Sequence, residues 1–205
     1  MSELKTAFEQ LAIQAAECRL CPRLQERRAV LSHLNGSLHP LVMFIGEAPG
    51  QRGADRTRIP LVGDMSGRNF DLFLTATGLS RADIFITNSV LCNPREDDCN
   101  VRPTSQEIKN CRSFLTRQIE LLQPPIIATL GAVALSALKA IETHKFTLKD
   151  VGKAFDWYGR KLVPLYHPSP HVVNGRRRAK EQLIDYELIG QTLVTLNITK
   201  LIEVL

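Results

Sequence analysis

Short apolar runs separated by helical segments constrain this chain most. LVMFI at residues 41–45 is continuously apolar and is followed by a glycine, the mark of a strand buried on both faces. Similar short runs at 84–87, 126–130 (IIATL) and 162–165 read as three further strands. Between them lie segments with apolar residues at helical spacing, at 4–16, 69–77, 106–122, 132–140 and 180–196. Proline ends the first of these at Cys18-Arg-Leu-Cys21-Pro22. Thr104 and Glu107 form a capping box at the start of the third, and Pro124-Pro125 breaks its far end. Alternation of this kind predicts an α/β fold, a mostly parallel sheet with helices on both faces.

At 205 residues and 44% hydrophobic content, one domain over residues 1–205 is expected. Lys and Arg total 26 against 21 Asp and Glu, a net charge of +5 that is compatible with nucleic acid without requiring it. No secretory leader and no apolar run of bilayer length is visible, so a soluble, cytoplasmic protein without a membrane partner is expected. A reducing compartment argues against a disulfide framework for the five cysteines. Metal ligation or inert buried thiols remain.

In such sheets chemistry gathers in loops beyond the carboxyl ends of the strands. Three loops qualify, and they are expected to converge on one cleft. The first, GEAPGQRGADRTRIPLVGDMSG, has neither a Gly-Lys-Ser/Thr ending nor the GxGxxG spacing, which disfavours nucleoside triphosphates and NAD. Gly46 and Gly50 let backbone amides approach a flat ligand, and Pro49 stiffens the turn between them. Glu47, Asp55 and Asp64 could position water or face a cationic transition state; the competing reading pairs the loop's charges with Arg52, Arg56 and Arg58. The second loop covers 88–93. The third, HPSPHVVNGRRRAK, sets His167 at a strand end, where it could donate to an oxygen gaining negative charge. Its basic run, Arg176 to Arg178 with Lys180, suits phosphates or forms an exposed helix start.

Together these loops resemble the uracil-DNA glycosylase superfamily. GEAPG with its apolar-Val-Gly turn, ITNSVLC and HPSP resemble family-four motifs, and GADRTRIPLVGDMSG is closer to family five. The resemblance implies a three-layer α/β/α sandwich around a four-stranded, mostly parallel sheet, and a monofunctional DNA glycosylase that hydrolyses the N-glycosidic bond of uracil or a related deaminated base. Asn88 would read the base edge and His167 would stabilise charge at O2 of the leaving base. Asp55, ranked above Glu47, would orient the water. Gly46, Ala48, Pro49, Gly50, Gln51, Leu61, Ser169 and Arg176 would bind substrate. Leu61 stands where the family usually has a stacking Phe.

Cys18, Cys21, Cys92 and Cys111 resemble the four ligands of the family-four [4Fe–4S] cluster. Zinc is the alternative, and Cys99 is a rival for one position. DNA, single- or double-stranded with one base flipped out, is the implied partner of a monomeric enzyme, with recruitment by a sliding clamp left open. Two other functions stay open beside the enzyme: a non-catalytic DNA-binding member of the superfamily, which Leu61 favours, and a covalent uracil trap.

Overall fold

The computed structural model describes residues 2–97 and 99–196. Helix α1 (Glu3–Glu17) is capped by the Ser2 hydroxyl, which accepts from Lys5 N, and is followed by β1 (Val42–Gly46), the single turn α2 (Ala54–Thr57) and α3 (Met65–Leu74). Strand β2 (Ile84–Asn88) leads to a small hairpin, β3 (Arg95–Glu96) with β4 (Cys99–Asn100), and then to α4 (Ser105–Leu122). Strand β5 (Ile126–Leu130), α5 (Ala132–Leu138), β6 (Phe155–Trp157), β7 (Arg160–Leu165), α6 (Pro170–Val173) and α7 (Ala179–Thr195) complete the order.

The main sheet runs β2-β1-β5-β7-β6. The first four strands are mutually parallel, with Val42 opposite both Ile84 and Ile126, and β6 pairs antiparallel to β7 at the edge. Side chains alternate between faces with the strand period of two. Met43, Ile45, Phe85 and Ile127 point into a core closed by α1, α4 and α5. Val42, Phe44, Ile84 and Ile86 point into a second core closed by α3 and α7, where Phe44, Phe70, Phe73 and Tyr186 form an aromatic cluster. Two buried faces give three layers, and they explain why these strands read as unbroken apolar runs. Among the described residues no helix is long and apolar enough to cross a membrane.

The sheet has five strands rather than four. Strand β6 joins β7 through Tyr158 and Gly159, whose φ values of 49° and 71° are the successive left-handed residues of a two-residue hairpin turn. Helix α3 also begins earlier than residue 69, because the Asp64 carboxylate accepts from Gly67 N at 2.9 Å and caps it. The Thr104–Glu107 capping box forms as expected, with Glu107 Oε2 accepting from Thr104 N at 2.8 Å.

Candidate active site

From β1 the chain steps outward to β2, then crosses to β5 on the other side of β1. Strand order therefore reverses between β1 and β5, the position where ligands bind in open parallel sheets. A cavity of about 450 Å³ opens there, beyond Gly46, Asn88 and Leu130. The three expected loops do converge on it: Glu47, Ala48, Pro49, Gly50 and Leu61 come from the first, Asn88 from the second, and His167, Ser169 and Arg176 from the third. The turn after β5 adds Gly131 and Val133, and Leu148 closes one side.

Asn88 ends β2 and is buried, with its amide against the backbone of β1. A Cβ on Gly46 would fall 2.5 Å from Asn88 Oδ1, so Gly46 is the residue that lets this amide stand at the mouth of the sheet. On the opposite side, His167 Nδ1 accepts from Ser169 N at 3.1 Å. A neutral ring therefore carries its proton on Nε2. Burial pushes the His167 pKa below its ordinary value of 6.5, and the nearby Asp64 charge opposes that shift. The ring is thus held neutral, as a donor through Nε2.

Two carboxylates share the cavity. Burial pushes the Glu47 pKa up from its ordinary value, opposed by the positive Arg102, which also lines the cavity. Asp64 stands over the first loop, and a Cβ on Gly53 would meet its Oδ2 at 2.6 Å. Of the three carboxylates in the first loop, Asp55 does not line the cavity. The turn of α2 directs it toward Arg58, 3.8 Å away, and its charge is felt at Cys92. Gln51 also stays outside the lining, its backbone N–H donating to Asn100 Oδ1 at 3.0 Å.

The basic run divides in the same way. Arg176 is exposed at the cavity rim, whereas Arg177 makes a two-pronged ion pair with the buried Asp185, at 2.6 and 2.9 Å. Arg176→Ala should therefore weaken DNA binding across sequences and lower the salt slope by about 1. Arg177→Ala should instead cost about 3 kcal/mol of stability, because it strands a buried carboxylate. Thermal melts beside salt titrations of DNA affinity separate the two; equal phenotypes would contradict the division.

Cys18 follows α1, Cys21 precedes a short turn at Pro22, Cys92 lies four residues beyond Asn88, and Cys111 sits on α4. All four line one small cavity about 20 Å³ in volume, walled by Leu24, Val90 and Phe114. Cys99 is exposed on β4 and does not line it. Burial, reinforced by the neighbouring thiols, pushes Cys92 up to about 11 and Cys111 up to about 12. Leu91 N donates to Cys111 Sγ at 3.4 Å, and Asn110 Nδ2 to Cys21 Sγ at 3.5 Å. Among the described residues no three such side chains converge on the position of a single ion.

The family model of the uracil DNA glycosylase superfamily matches residues 34–187, a span that contains every residue lining the larger cavity, with Cys18 and Cys21 of the thiol cavity before it. The type-4 uracil-DNA glycosylase of Thermotoga maritima is 35% identical over 164 residues, covering 79% of this chain and 81% of that protein. That of Saccharolobus solfataricus is 36% identical over 170 residues, covering 80% and 76%. A type-5 uracil-DNA glycosylase from Pyrobaculum aerophilum is 29% identical over 206 residues, covering 87% and 89%. Similarity to both types matches a first loop that combines features of each, and with this extent of match the chain belongs to the uracil-DNA glycosylase superfamily.

Proposed function

We propose that this protein is a monofunctional uracil-DNA glycosylase, hydrolysing the bond between a flipped deaminated base and its deoxyribose. The observation that carries the reading is that Asn88 and His167 line one cavity at the sheet's switch point, with His167 Nδ1 accepting from Ser169 N, which leaves Nε2 as the ring's donor. Asn88 Oδ1 can accept from uracil N3–H while Nδ2 donates to O4, the edge that distinguishes uracil from cytosine. His167 Nε2–H can donate to O2 as the departing base gains negative charge. The sugar becomes cationic at the same moment, and a carboxylate beside it both offsets that charge and orients the attacking water. Glu47 and Asp64 line the cavity for this work, which favours them over Asp55. Excision therefore needs no covalent intermediate from this chain.

The four-thiol cavity suits a [4Fe–4S] cluster held by Cys18, Cys21, Cys92 and Cys111. A single zinc at about 2.3 Å from each sulfur would draw the four thiolates within roughly 4 Å of one another, whereas a multi-iron cluster spreads them. Sulfur-to-sulfur distances in the loaded protein therefore distinguish the two groups. When bound, the cluster supplies positive charge that stabilises the thiolates and ties the N-terminal segment, the loop after β2 and α4 together.

Single-turnover excision from oligonucleotides carrying one uracil or one hypoxanthine tests the assignment. Release of uracil, with thymine untouched, is the expected outcome; inertness toward every deaminated base would overturn it. Leu61 gives a graded version of the same test. An aliphatic side chain packs on a base face but forgoes aromatic stacking, worth roughly 1–3 kcal/mol per base. Leu61→Phe should accordingly raise uracil excision about fivefold, as a gain of about 1 kcal/mol permits. Abolished uracil excision in that variant, with hypoxanthine released by the wild type, would mean that Leu61 makes room for a larger base.

A further inference from the structure

Leu61 lines the base cavity and packs on the aromatic core, yet its backbone is left-handed, with φ 53°. A branched side chain rarely adopts that conformation, so something must hold it there. Two neighbours do so from opposite sides. Arg81 reaches the loop with both terminal nitrogens, donating to Pro60 O at 3.0 Å and to Leu61 O at 2.7 Å. The guanidinium is itself fixed, by Asp71 at 2.8 Å from Nε and by the Phe70 ring beneath it, 5.5 Å from the centroid. From the other side Gly67 of α3 admits the Leu61 carbonyl so closely that a Cβ there would lie 2.3 Å from the oxygen.

We infer that Arg81 is a positioning residue for base binding: it clamps the Pro60–Leu61 carbonyls so that Leu61 keeps its left-handed backbone and presents its side chain as one wall of the cavity. The inference rests on the glycosylase reading above. Arg81 does not line the cavity, so it touches neither base nor water and acts through Leu61 alone. Without the clamp, Leu61 is expected to relax to negative φ, turning the carbonyl away from Gly67 and shifting the wall. Elsewhere the loop from Thr57 to Val62 is held by the Thr57 hydroxyl, within 3.2 Å of the carbonyls of Gly53, Ile59 and Val62, and by Arg58, which donates to Arg28 O and Ala29 O at its start. Among the described residues, Arg81 is the side chain that grips the crest itself, at Pro60 and Leu61, from outside the loop.

The test is an epistasis measurement. Arg81→Met keeps an apolar stem over Phe70 and loses the donors; it should raise the half-saturating enzyme concentration in single-turnover uracil excision about tenfold. Its plateau rate should change less than twofold, because His167 and Asn88 are untouched. Glycine enters the left-handed region without help, so in a Leu61→Gly background the same Arg81→Met change should shift half-saturation less than twofold. Gly67→Ala, which pushes the carbonyl from the opposite side, should reproduce the Arg81→Met phenotype. Equal Arg81→Met effects in both backgrounds would make Arg81 a general stabiliser and overturn the inference. If Arg81→Met folds poorly, Arg81→Lys, retaining one donor, should give an intermediate half-saturation, and a wild-type value would count against the clamp. A crystal structure of either Arg81 variant reads φ at Leu61 without reference to turnover. An inactive wild type therefore sinks the glycosylase reading alone, and an unchanged positive φ sinks the clamp alone.

Discussion

His167→Ala is expected to lower the single-turnover rate of uracil excision by about 10²–10³ while changing DNA affinity less than threefold. The magnitude is that of removing one preorganised donor from a site where charge develops only in the transition state. The backbone bond from Ser169 N to Nδ1 fixes which nitrogen carries the proton, so the donor is in place before the base arrives. His167→Gln, which also presents an N–H, should recover part of the loss. A matching fall in binding and rate would mean that the ring only supports the His-Pro-Ser loop. The same assignment carries a pH signature. Because burial holds the folded-state pKa below 6.5, the unfolded chain takes up the proton first as pH falls. This group's contribution to stability is therefore complete well above pH 6.5 and declines on the acid side. Excision should follow it down rather than require an imidazolium.

Cys111→Ser should have the largest effect on the whole molecule. Cys111 stands on α4 against the loop that carries Asn88, and the thiol cavity joins three segments far apart in sequence. The expected result is loss of bound iron, about four per chain in anaerobically purified wild type, together with a sharp fall in soluble yield. Cys99→Ser, altering an exposed thiol on β4, should retain both. Iron content measured beside thermal stability decides the matter. Iron-free wild type with full activity and unchanged stability would remove the cluster from the account.

The strands were legible because each is buried on two faces, which leaves an unbroken apolar run, and because the sheet's carboxyl edge gathers the loops that follow. His167 and Asn88 could be located for that reason: Asn88 ends β2 and His167 lies two residues beyond the end of β7. Strand β6 was not legible, since Phe155–Trp157 is only three residues long and its turn is made by Tyr158-Gly159 rather than a strong Asn-Gly pair. The ranking of Asp55 above Glu47 was also beyond local pattern. Both lie in one glycine-rich loop, and the single turn of α2 decides which carboxylate faces inward. Asp64 was among the candidate carboxylates from the start; what the loop reading of GDMSG missed is its role as N-cap of α3, three residues before Gly67. Arg177 looked like part of a phosphate patch because its partner, Asp185, is two turns away along α7. The four thiols became a group only through resemblance, since no local spacing joins Cys21 to Cys92.

The central claim is hydrolysis: this chain breaks the glycosidic bond with water and keeps no covalent hold on the sugar. Single-turnover excision from a uracil-containing oligonucleotide in ¹⁸O-labelled water, followed by mass spectrometry of both products, tests it most directly. The account predicts free uracil without label, an abasic sugar carrying one labelled oxygen at C1′ before exchange, and no protein–DNA adduct on a denaturing gel. Uracil retained in the strand, or an adduct that survives denaturation, would contradict it.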